Sequence, residues 1–159
     1  MPAQPAAREM RARRSCHAVP GSNPRFLEKA QGLDSDQVFL DIEDSVAPIA
    51  KADARKNIVD VLNTGDWGER VRTVRVNDWT TQWTYKDVIE VVEGAGANLD
   101  CIMLPKVQTA DQVKALDVLL TQIETTIGLV VASRWLKTEC PISWAVSVTS
   151  TSRPHWDSG

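Results

Sequence analysis

The sequence predicts an α/β protein built on a parallel sheet. Three observations carry that reading. Short apolar runs alternate with amphipathic stretches four times, about 30 residues per strand–helix unit, and a fifth run begins at Leu129. The boundaries carry Pro, Gly and Asn turn chemistry. Acids, an arginine and a lysine stand at the ends of the strand-like runs. Such units build either an open doubly wound sheet or a (β/α)8 barrel, and in both the chemistry gathers at the carboxyl ends of the strands.

The elements follow in order. Ser15 to Val19 is a short candidate strand. Pro20-Gly21-Ser22-Asn23-Pro24 turns the chain, with Asn23 as N-cap and Pro24 at the first helical position. The helix runs through Phe26, Leu27 and Ala30 to Gly32. A Gly-Ser-Asn loop opening a helix can hold a phosphate on free N–H groups, with Lys29 adding charge; a plain strand-to-helix turn is the commoner reading. Val38-Phe39-Leu40 is a buried strand that exits into Asp41, Glu43 and Asp44. Three acids there need metal, water, cations or backbone N–H groups, unless one caps the next helix and the others are solvated.

Pro48 begins the second helix, with Ala52, Ile58, Val59 and Leu62 on its apolar side and Lys51, Arg55 and Lys56 among its polar residues. Asn63-Thr64-Gly65-Asp66 ends it. Val71 to Val76 reads as a strand with its valines on one face and Arg75 near its carboxyl end. Thr84 to Glu93 is an amphipathic helix closed by Gly94 and Gly96. Cys101 to Leu104 is the fourth strand, ended by Pro105 and Lys106. Thr109 and Gln112 form a capping box for a helix carrying Val113, Leu116, Leu119, Leu120 and Ile123, which Gly128 stops.

Composition bounds the function. The 159 residues suffice for one domain with a core. With 43% hydrophobic and 25% charged residues the balance is that of a globular protein. A net charge of −3 offers no basic field for nucleic acid. No apolar run approaches the ~20 residues that span a bilayer. Cys16, Cys101 and Cys140 lack metal spacing and read as reduced thiols of a cytoplasmic protein. Met1 to Arg14 reads as a frayed leader, with an organelle transit peptide as the second reading.

Read together, VPGSNPRFLEKA, FLDIEDSVAP, ARKNI, VRTVRVND, LDCIMLPKV and LLTQIE resemble the HpcH/HpaI aldolase–citrate lyase β superfamily, and most of all its L-malyl-CoA/β-methylmalyl-CoA lyase branch. The resemblance runs from about Arg14 to about Val131. It implies the N-terminal half of a (β/α)8 TIM barrel over residues 15–132. It also implies a lyase that makes or breaks a carbon–carbon bond beside a CoA thioester, with Mg²⁺ chelating a glyoxylate-like 2-oxo acid. Citryl-CoA substrates share these motifs. By position, Arg75 is implied to bind the oxo-acid and enolate oxygens as the catalytic arginine. Glu43 and Asp44 are implied second-sphere acids on metal-bound water, and Ser22 and Lys29 are implied to lie by the CoA phosphates. Asn23 stands where some relatives carry arginine. The full-length family implies a homo-oligomer.

Residues 133–159 break the pattern. They carry three of the six tryptophans and a Ser/Thr cluster, with a possible short strand at Trp144 to Val148. The family's direct metal ligands, a glutamate on the fifth strand and an aspartate after the sixth, are not recognisable, and the flanks of Glu139 do not fit. The break predicts a shifted reading frame, a mis-spliced exon or a truncated gene model, with a genuine divergent ending as the weaker reading. Half a barrel also leaves its end strands unpaired, which predicts self-association. The alternative function is therefore an inactive fragment with at most residual CoA or phosphate binding. A small phosphate-binding α/β module ranks last.

Overall fold

A computed structural model describes residue 11 and residues 13–129. Strand β1 (Cys16–Pro20), helix α1 (Pro24–Ala30), β2 (Gln37–Asp41), α2 (Lys51–Thr64), β3 (Val71–Arg75), α3 (Thr84–Ala95), β4 (Cys101–Met103) and α4 (Ala110–Thr126) alternate along the chain. The strands form one parallel sheet in the order β1-β2-β3-β4. Each strand therefore lies beside its sequence neighbour, and every crossover is a helix, as parallel pairing requires. The register sets Pro20 opposite Asp41 and Asp41 opposite Arg75, so three strand exits stand side by side.

The helices cover one face of the sheet. Val38, Leu40, Val74 and Ile102 pack there with Leu27 of α1, Ile58 and Leu62 of α2, Val88, Val91 and Val92 of α3, and Leu116, Leu120 and Ile123 of α4. A second, smaller cluster joins Phe39, Cys101 and Met103. Among the described residues no helix is long and apolar enough to cross a membrane.

Local chemistry explains the elements. The Asn23 side chain accepts from the Arg25 and Phe26 N–H groups at 3.1 and 3.3 Å, capping α1 as its sequence predicts. Gln112 accepts from the N–H groups of Gln108 (2.7 Å) and Thr109 (3.4 Å), closing the predicted capping box of α4. Gly128 stops α4 at φ +69°, where a Cβ is strained.

Four expectations need correction. The valines of β3 do not share a face: Val71, Val74 and Val76 are all fully buried, because both faces of this strand are covered. Helix α2 buries Lys51, Ala54 and Arg55 and exposes Ala52, so two of the residues read as polar are interior and one read on the apolar side is not. Gly94 does not close α3, which runs on to Ala95 before a 3-10 turn at Gly96–Asn98. At Gly94 a Cβ would sit 2.7 Å from Val59 Cγ1, so this glycine lets α2 and α3 approach closely. Helix α2 is preceded by a 3-10 turn, Pro48–Ala50, so Pro48 opens that turn rather than the helix itself. Of the predicted fifth strand only Leu129 is described, in irregular backbone. Val130, Val131, the tail from Ser133 with Glu139, the possible strand at Trp144 to Val148, and most of the leader lie outside the described residues.

Candidate functional site

Asp41 is the last residue of β2 and 1% exposed. Its carboxylate grips Arg75 in a fork, with Nε and Nη2 donating at 2.8 and 2.7 Å. It also accepts the Glu43 N–H at 2.8 Å and the Ser45 N–H at 3.1 Å, which curls the chain after β2 into a tight loop. Burial alone pushes the acid's pKa up. The donors from Arg75, Ser45 and Glu43 outweigh that, and the carboxyl is held below the usual range. Hydrogen bonding to Asp41 in turn raises Arg75, which also lies over the Phe39 ring at 5.2 Å.

Glu43 is 5% exposed, and both its oxygens are buried. Its neighbours meet it by charge. Lys106 Nζ lies 2.8 Å from Oε1, and Arg75 Nε lies 3.4 Å from Oε2. Lys106 also reaches the exposed Asp44 at 3.1 Å. Those two carboxylates raise the lysine's pKa. The acids that look uncompensated along the sequence are thus met by cations from β3 and from the segment after β4. The structure brings Arg75, Glu43 and Asp44 together, as the sequence predicts.

Beneath this loop lies a buried polar network that sequence reasoning missed. Lys51 Nζ, on a residue 4% exposed, donates to the carbonyls of Ile42 (2.8 Å) and Glu43 (2.9 Å) and to Asn77 Oδ1 (2.7 Å). Its ammonium lies 5.0 Å from the centre of the Trp83 ring. Burial lowers its pKa despite the acids around it. Asn77 donates to Asp87 at 2.6 Å, and Asp87 accepts from Arg55 at 3.0 Å. One ammonium therefore ties the exit of β2 to the exit of β3. The usable signal was the position of Lys51 at the start of the helix that follows the acid-bearing loop.

Ser22 and Lys29 stand apart. Ser22 is half-buried at the exit of β1, where Gly21 N–H donates to the Asp41 carbonyl at 2.9 Å and Asn57 donates to the Gly21 carbonyl at 3.2 Å. Lys29 is exposed in the last turn of α1. No hydrogen bond or ion pair among the described residues joins either to the Arg75 cluster. Asn23 already occupies two N–H groups at the start of α1, so the cradle expected there is largely self-satisfied.

Among the described residues no group of three or more His, Cys, Asp and Glu side chains is arranged to hold a metal ion.

The family model for HpcH/HpaI aldolase/citrate lyase matches residues 14–150. The chain belongs to that family. The match reaches past Val131, where the sequence reading ended the resemblance. An L-malyl-CoA/β-methylmalyl-CoA lyase of Cereibacter sphaeroides is 49% identical over 109 residues, covering 69% of this chain and 34% of its own length. A (3S)-malyl-CoA thioesterase of the same species is 40% identical over 126 residues, covering 76% of this chain and 43% of its own. CitE of Mycobacterium tuberculosis, solved with magnesium and acetate, is 34% identical with a TM-score of 0.53, over 64% of this chain and 39% of that one. Haloferax volcanii malate synthase, solved with magnesium and glyoxylate, reaches a TM-score of 0.66 at 22% identity, over 74% of this chain and 39% of that one, and shares the fold. This chain spans about a third of the length of the lyase it matches. The partial barrel implied by the resemblance agrees with these comparisons, and the lyase and the thioesterase are both named for malyl-CoA esters.

Proposed function

We propose that the chain supplies the N-terminal half of a Mg²⁺-dependent carbon–carbon lyase acting on a CoA ester of the malyl or citryl type, releasing a 2-oxo acid and an acyl-CoA. One observation carries this. At the carboxyl end of the sheet a nearly buried guanidinium is aimed by Asp41 through Nε and Nη2, and Nη1 has no partner among the described residues. An arginine so fixed suits oxyanion binding, because its position is set before the ligand arrives. Arg75 is then the residue for the oxo-acid and enolate oxygens. Glu43 and Asp44 hold metal-bound water, and Ser22 and Lys29 serve the CoA phosphates. Mg²⁺ supplies charge neutralisation of the oxo acid when bound. The family setting supports a cytoplasmic homo-oligomer.

A second reading is an inactive half-barrel with at most residual CoA or phosphate binding. It is supported by the pairing of Glu43 with the chain's own Lys106 and Arg75. One assay separates the two. The purified 159-residue chain is given L-malyl-CoA and Mg²⁺, and glyoxylate is trapped as its phenylhydrazone. The lyase reading expects glyoxylate that disappears in Arg75→Ala. Folded protein that releases none selects the inactive half-barrel.

A further inference from the structure

Lys106 is the single described non-glycine residue with a positive φ, +52°. That conformation is strained for an L side chain of this kind. The sequence around it does not demand the strain, since glycine or asparagine adopts the same backbone freely. What the strain achieves is visible in the ion pairs. Lys106 follows β4, while Glu43 and Asp44 follow β2, and β3 lies between those strands. The lysine chain therefore reaches past the exit of β3, where Arg75 stands. Arg75 and Lys106 bracket the same carboxylate, at 3.4 and 2.8 Å from the two oxygens of Glu43. That carboxylate is buried, and the ammonium and the guanidinium meet it as ion pairs from two sides. The Lys106 side chain remains 56% exposed, with donors to spare toward solvent.

We propose that Lys106 is a second ligand-binding cation of this site, closing with Arg75 on the carboxylate of a small 2-oxo acid. This rests on the lyase reading above and adds a residue to it. In the free protein Glu43 and Asp44 park the ammonium over the mouth of β3. An arriving carboxylate offers oxygens on the open side of the same ammonium, while Arg75 Nη1 meets it from below.

The test is a titration of the full 159-residue chain with ¹³C-labelled pyruvate in the presence of Mg²⁺, read by NMR, alongside thermal melts. The variants are Arg75→Ala, Lys106→Met and Lys106→Gly. We expect Arg75→Ala to abolish pyruvate binding and Lys106→Met to weaken it about tenfold, the size of one lost charge-assisted contact. Lys106→Gly relieves the backbone strain but strips Glu43 of a cation, so the melts serve to choose a temperature at which every variant is folded, and pyruvate binding still falls there. A lysine with a purely structural role leaves pyruvate affinity unchanged in the folded variants, and that result overturns the proposal. If the unaltered chain binds pyruvate and only Arg75→Ala loses it, the clamp fails and the site reading stands. If the unaltered chain binds none, the site reading fails and the clamp with it.

Discussion

Replacing Asp41 by asparagine probes the centre of the site most directly. The substitution keeps the shape and removes the charge. It leaves the Arg75 guanidinium, 18% exposed, without its anion, and it turns an NH₂ group toward donors that need an acceptor. Breaking a buried pair by removing one partner costs about 3–5 kcal/mol. Arg75 retains some water and a 3.4 Å contact to Glu43, which places the expected loss at the lower bound, about 3 kcal/mol. For a fold of this size that is a drop of roughly 10 °C in melting temperature. Urea unfolding of Asp41→Asn against the unaltered chain at neutral pH measures it. The pH dependence supplies a second check. The native carboxyl titrates below its ordinary value, so its contribution is present above the unfolded pKa of about 3.9 and is lost as pH falls through the depressed native value. The gap between the two proteins must therefore narrow in acid. A loss under about 1 kcal/mol at neutral pH, the scale of an exposed pair, would refute the reasoning.

Two further substitutions test the surroundings. Lys51→Met fills the same space and strips donors from the Ile42 and Glu43 carbonyls and from Asn77, so we expect a loss of about 3 kcal/mol or more in urea unfolding, and a loss below 1 would mean that water replaces the ammonium there. Gly21→Ala places a Cβ 2.5 Å from Ile58 Cδ1 and 3.0 Å from the Asp41 carbonyl oxygen, so the thermal melt should show a cost of about 1–3 kcal/mol; an unchanged melt would show that the β1 exit can lift away from α2.

The strand and helix order was legible because each unit obeys local rules. The Asn23 cap, the Thr109–Gln112 box and the Gly128 stop are set by chemistry within a few residues. The acids and Arg75 were legible as a site because a parallel sheet brings strand exits together. What escaped depended on contacts distant in sequence. Gly94 has the propensity of a stop, but its lack of a side chain lets Val59 pack against the helix, and α3 continues. Lys51 and Arg55 read only as polar residues of α2, yet acceptors from the segments after β2 and β3 and from α3 surround them. The valines of β3 lie on both covered faces, so a period-two pattern had nothing to report.

The order of the sheet has a consequence for how the protein is made. Each strand hydrogen-bonds to the one synthesised just before it, with a single helix between. No described strand waits for a partner from a distant part of the chain. Every new unit leaving the ribosome meets a finished edge on which to dock, so the sequence in which the units appear is also the sequence in which they can assemble. Arg75 meets Asp41 when the third strand emerges, and Lys106 arrives only with the segment after the fourth. The acid–arginine pair is thus the founding contact of the site, and the lysine its last addition.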